Sequence, residues 1–253
     1  MSNEMVADSG VPTPGVAGLS QIERVVDTFV APSKTFKDIL RSTSWWLPFL
    51  LMVIGSLSSA YVVQKQVGFS RVNENQIHAS PKTEDQFNQL TPEQKAQRLS
   101  IGEKITAVVT YAIPVFIVIG GAIYALILWG CFNFILGAKT TFWQVFAASF
   151  YAALPYLVLN VLLILTLYFG GNAEAYDYKN PVGTNPAYFM PDAAPWLKSI
   201  LGELDVVKLW TLVLEVLGMA IIAKKTISQS AMVVVGLWAI RVIFTVGLAA
   251  AFS

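Results

Sequence analysis

Five apolar runs, at 45–63, 105–136, 142–169, 207–223 and 231–252, constrain this chain more than anything else in it. A helix of about 20 apolar residues crosses a bilayer, and each run meets or approaches that length. Between them the runs hold three of the 33 charged side chains (17 basic, 16 acidic): Lys208, Glu215 and Arg241. The rest of the chain carries charge at close to the density of about 25% usual for soluble domains. A soluble globular enzyme is excluded by these blocks. So is an outer-membrane barrel, whose strands are short and alternate in polarity. The fold class expected is an all-α membrane protein of five transmembrane helices, with N-terminal amphipathic helices and two long extracytoplasmic loops.

Residues 1–19 are rich in Gly, Pro and Ala and read as a disordered tail, leaving 20–253 as one membrane domain. No basic region followed by an apolar one opens the chain, so no secretory signal is expected there. Ser20-Gln21-Ile22-Glu23 fits a capping box, and Ile22, Val25, Val26 and Phe29 follow at helical spacing. Pro32 closes that segment, and Ser33 is a candidate cap for a second carrying Phe36, Ile39 and Leu40. With Arg24, Lys34, Lys37 and Arg41 these short helices suit either the bilayer interface or packing on their own membrane domain. The second and third runs exceed one bilayer crossing, so bends are expected near Pro114 with Gly120-Gly121, and at Pro155. Segment 64–104 is polar, and Thr91-Pro92-Glu93-Gln94 starts a helix over 92–104 that feeds the second span. Segment 170–206, with Pro181, Pro186, Pro191 and Pro195, reads as mostly non-helical.

Basic residues in short loops orient a membrane protein. Arg24, Lys34, Lys37, Arg41, Lys139, Lys224 and Lys225 lie on one side at about twice the density of basic residues in the two long loops. The expectation is a cytoplasmic N-terminus and an extracytoplasmic C-terminus. The long loops hold no Asn-x-Ser/Thr acceptor, which fits a bacterial inner membrane.

Ionisable groups deep in a span are costly unless they are paired or face a cavity. Counted from the centre of the connecting turn, placed near Ile227, Glu215 and Arg241 differ in depth by about 3 Å. An ion pair between them is expected, either as structural registration of two helices or as part of a proton or ion relay. Asn133 and Asn160 are candidates for interhelical hydrogen bonds, and Gly55/Ser59 and Gly247/Ala251 for close helix contact. One histidine, His78, and one cysteine, Cys131, leave no metal centre to build. No nucleophile elbow, zinc-protease or phosphate-loop motif occurs, so no catalytic residue and no cofactor is assigned. A net charge of +1 gives no reason to expect nucleic acid. The bilayer is the partner the composition demands, with a membrane-protein partner or a homo-oligomer as further candidates.

The stretch Phe29-Val30-Ala31-Pro32-Ser33-Lys34-Thr35-Phe36, with Ile39 after it and Trp45-Trp46-Leu47-Pro48 opening the first span, resembles the Yip family, the Ypt/Rab-interacting membrane domain, in its bacterial form. The likeness extends over roughly 24–250, with the polar loop before the second span and the five-span count. It implies a multi-pass membrane domain. In eukaryotic members it implies trafficking, with cytosolic N-terminal segments meeting prenylated small GTPases. This sequence has no counterpart of their Asp-Leu-Tyr-Gly-Pro motif, which argues against a small-GTPase partner.

Three functions from different classes stay open, the third being a membrane enzyme acting on lipid. The first is a non-enzymatic protein organising membrane or partner proteins. The second is a small-molecule, lipid or ion transporter or channel using Glu215 and Arg241. A solvent-connected cavity reaching Glu215 favours the second.

Overall fold

The computed structural model describes residues 18–170 and 176–251; the expected disordered tail lies outside them up to residue 17. The described residues form twelve α-helices, two short non-α helical turns and no strand. Two short helices, α1 (Gln21–Val30) and α2 (Pro32–Ile39), precede the first span, α3 (Trp46–Gln66). Three more, α4 (Phe69–His78), α5 (Pro81–Asn88) and α6 (Pro92–Tyr111), lead to α7 (Ile113–Gly130), which ends in a π-helical turn, Cys131–Ile135. The third span is α8 (Phe142–Ala152) plus α9 (Tyr156–Phe169). A 3₁₀ turn at Pro186–Phe189 and α10 (Pro195–Glu203) then precede α11 (Val206–Ala223) and α12 (Ile227–Ala251). Five helical segments are long and apolar enough to cross a membrane: Trp46–Gln66, Ile113–Ile135, Phe142–Phe169, Val206–Ala223 and Ile227–Ala250.

Local chemistry explains most boundaries. Ser20 and Glu23 close a reciprocal capping box, as do Thr91 with Gln94, Thr141 with Gln144 and Thr226 with Gln229. The long second run divides at Ala112, just before Pro114, and the third at 153–155, where Pro155 cannot donate to the ladder. One expectation gives way: segment 64–104 holds two extra helices, α4 and α5. The described part of the proline-rich segment 170–206 is mostly non-helical, as expected, but also holds α10, because Pro195 occupies a first-turn position, where its missing N–H costs nothing. The second N-terminal helix begins at Pro32 and carries no side-chain cap, so Ser33 lies inside it.

The core has three parts. Met52, Leu128, Phe132, Phe146, Phe150, Met219 and Val234 join α3, α7, α8, α11 and α12. Phe36 and Ile39 of α2, both fully buried, pack with Tyr151 of α8 and Leu214 and Ile222 of α11. At the end bearing the long loops, Val62, Val72, Leu163, Leu167, Tyr176 and Val182 form the third part. Helices α3 and α9 run close together at Gly55, where a Cβ would stand 2.9 Å from Leu157 and 3.3 Å from the Asn160 amide. Gly247 has open space around it, so the second small-residue pair makes no such approach.

The hairpin of α1 and α2 turns its polar side inward. Arg24, with no exposed surface, donates from Nε to Asp38 Oδ2 at 2.6 Å and from its terminal nitrogens to the Ser42 and Asp38 carbonyls. Thr35 Oγ1 donates to the Arg24 carbonyl at 2.8 Å. Ile22, Val26 and Val30 of α1 face outward and exposed.

Candidate functional site

A cavity of about 650 Å³ opens between α7 and α12, in front of α8 and α11. Its rim carries Ile127, Ile240 and Phe244, all exposed, while Met52, Ser149 and Glu215 at its floor are buried. Because α7 and α12 do not form a packed interface with each other, the space opens sideways between these two spans. Its walls are mainly apolar, and its size falls in the range of about 300–1,000 Å³ typical of small-molecule sites.

Helix α11 supplies three of the polar lining residues. Lys208, Thr211 and Glu215 recur at three- and four-residue spacing and so share one face, turned to the cavity. Asp205 starts that helix by accepting from the Val207 and Lys208 amides at 2.8 and 3.2 Å, and Asn185 donates to its other oxygen. Glu215 is 4% exposed. Its Oε1 accepts from the Ser149 hydroxyl of α8 at 2.9 Å, while Oε2 has no hydrogen-bond partner among the described residues. The Thr211 hydroxyl is buried and equally unpartnered. The hydroxyls of Tyr124 on α7 and Tyr156 on α9, both lining the cavity, also make no hydrogen bond among the described residues. Buried polar groups normally find partners, so the orphaned Thr211 hydroxyl beside the open Glu215 oxygen marks a place for polar contact with something else.

The expected Glu215–Arg241 ion pair does not form. Arg241 instead gives both terminal nitrogens to Glu203 of α10, Nη1 to Oε1 at 3.4 Å and Nη2 to Oε2 in a shorter contact. Lys208 joins from the other side, with Nζ 3.2 Å from Glu203 Oε1 and 2.8 Å from the Gly202 carbonyl. The reason is register. The α11–α12 turn is only 224–226, centred on Lys225. From there Glu215 lies ten residues back and Arg241 sixteen on, a depth difference of about 9 Å. Helix α10 brings a carboxylate to the level of Arg241, and Glu215 turns to α8. Both residues still border the same cavity. Burial pushes the Glu203 carboxyl up, but Arg241 and Lys208 outweigh it and hold it below its ordinary range.

The other candidates separate. Asn160 does join helices: Ser59 Oγ on α3 donates to its Oδ1 at 2.9 Å. Asn133 does not. It closes the turn after α7 by accepting from the Thr140 amide at 2.9 Å and donating to the Thr140 carbonyl at 3.1 Å, where Trp129 also donates. The π-helical turn carries Asn133 towards the following loop and away from a neighbouring span. His78 meets Glu84 at 2.9 Å on the surface. Among the described residues no three His, Cys, Asp or Glu side chains gather in a way that would hold a metal ion.

Five apolar spans around a cavity with a carboxylate at its floor define a polytopic helical membrane protein. The Yip1 domain model matches residues 26–249, from α1 into α12, and the chain belongs to that family. Neither the curated proteins nor the solved structures compared with it yield a match.

Proposed function

We propose that this protein binds a small amphipathic molecule drawn sideways from the bilayer, and so acts as a carrier or transporter and not as an enzyme. The observation that carries this reading is the cavity itself: apolar walls, a rim at the lipid-facing surface of α7 and α12, and open polar groups at the depth of Glu215. A ligand there trades apolar surface against lipid at little cost and gains the polar contacts, a combination that sets orientation as well as affinity. The experiment is photolabelling of the full-length protein in nanodiscs with a diazirine-bearing long-chain alcohol. Labels are expected to concentrate on α7 and α12, and Ile117→Trp, which places an indole in the cavity, should remove them. Labelling spread evenly over all five spans, unchanged by Ile117→Trp, would overturn the reading.

A second reading, organisation of membrane or partner proteins, draws on the exposed apolar stripe Ile22, Val26 and Val30. Cross-linking through Val26→Cys in a Cys131→Ser background tests it, since the substitution leaves one thiol. Capture of a second copy or a distinct membrane protein supports organisation, and labelling by lipid alone counts against it.

We place the end bearing Lys34, Lys37, Arg41, Lys139, Lys224 and Lys225 in the cytoplasm of a bacterial cell, with the protein in the inner membrane. Arg24 drops out of that count because Asp38 neutralises it.

A further inference from the structure

The cavity presents one ionisable group that no opposite charge attends. Lys208 and Arg241 at its upper edge are both engaged by Glu203, Lys208 with a carbonyl as well. Glu215, 4% exposed, has only a neutral hydroxyl on one oxygen, and no Lys, Arg or His among the described residues forms an ion pair with it. The same cavity is lined by aromatic rings from four helices: Tyr124, Phe150, Tyr156, Trp238 and Phe244. A buried carboxylate calls for a cation or a set of donors, and ring faces attract a cation while tolerating apolar substituents on it.

We propose that the cavity selects an amphipathic cation, a molecule with an apolar body and a protonated amine or quaternary centre, which pairs with the Glu215 carboxylate inside aromatic walls. The inference rests on the amphipath-binding reading above and adds the sign of the ligand's charge. An amphipathic anion is the opposite case. It would compete with Glu203 for Lys208 and Arg241, and it would bring a second negative charge towards Glu215.

Two probes of nearly equal shape and opposite charge separate these cases: tetraphenylphosphonium and tetraphenylborate, titrated by calorimetry into the full-length protein in nanodiscs, with empty nanodiscs subtracted. Tetraphenylphosphonium is expected to bind with a stoichiometry of one. Glu215→Gln, which keeps an acceptor for Ser149, should weaken it by about tenfold or more, as loss of a buried charge contact would. Tetraphenylborate should bind more weakly and be indifferent to that substitution. Equal or tighter binding of the borate overturns the charge assignment, as does phosphonium binding that ignores Glu215→Gln. Absence of binding by either ion overturns it too, and the neutral diazirine alcohol then reports whether the cavity itself takes a ligand. Should Glu215→Gln fail to fold, the two wild-type titrations alone still decide the sign.

Discussion

Arg24 and Asp38 show how much one residue pair controls. The guanidinium is wholly buried and its partner nearly so, and the bonds tie α1 to α2 and to the approach to α3. Removing one partner of such a pair strands the other's charge, which costs about 3–5 kcal/mol, more than replacing both by apolar groups. Asp38→Ala is therefore expected to release the hairpin, read as loss of amide-exchange protection over α1, while Arg24→Met with Asp38→Leu should retain more of it. Burial pushes the Asp38 carboxyl up, but its bonds to Arg41 and Arg24 prevail and hold it below the usual range. A carboxyl with a lowered folded-state value stabilises fully at neutral pH and stops doing so as pH falls below about 4. Protection of α1 should fall in that acid window and stay flat from pH 6 to 8. A flat profile down to pH 3 would contradict this assignment. Both residues are visible in the sequence, but their pairing is not: Arg24 reads there as one of four exposed-looking basic residues beside the first span. Nothing in helical spacing reveals that α1 turns Arg24 and Thr28 inward and Ile22 and Val26 outward.

At the scale of elements, α2 and α11 fit tightly against each other. A Cβ at Gly218 would meet the Phe36 ring at 2.7 Å, and that ring is fully buried. Gly218→Val is expected to push α2 off the bundle, with a cost of about 1–3 kcal/mol. Thermal unfolding in detergent measures it, and an unchanged midpoint would show that α2 is free to move. The five spans were legible because an apolar run of bilayer length has few other folds, and the breaks near Pro114 and Pro155 were legible because proline removes a donor. Helix α10 was not legible, since Pro195 reads as a breaker in a proline-rich loop and as a starter only once a helix follows. That omission also hid Glu203, and with it the true partner of Arg241. Glu215 itself stood out in the sequence as a lone acid in a span. The Lys208–Thr211–Glu215 stripe was present as spacing, but only packing decides that this face borders a cavity.

For the whole molecule, orientation makes a direct prediction. With the short turns cytoplasmic, alkaline phosphatase fused after Ser253 should be active in the periplasm, and an inactive, stably expressed fusion would invert the topology. The cavity belongs to this scale as well: α3, α7, α8, α9, α11 and α12 all line it, and no local pattern specifies such a space. The repeated capping boxes carry a consequence for biogenesis. Spans two and three join through a turn that ends in the Thr141–Gln144 box, and spans four and five through one that ends in Thr226–Gln229. In each case two amides at the start of the helix, those of the cap residue and of the third helical residue, are bonded by its own side chains, so part of the cost of loose donors is met within the hairpin. Spans two–three and four–five are thus equipped to enter the bilayer as pairs, each already closed. The first span and its N-terminal hairpin pack onto α8, α9 and α11. Thr226→Ala should then slow insertion of the last two spans together, seen as a delay in protease protection of both during synthesis, while the first three insert on their usual schedule.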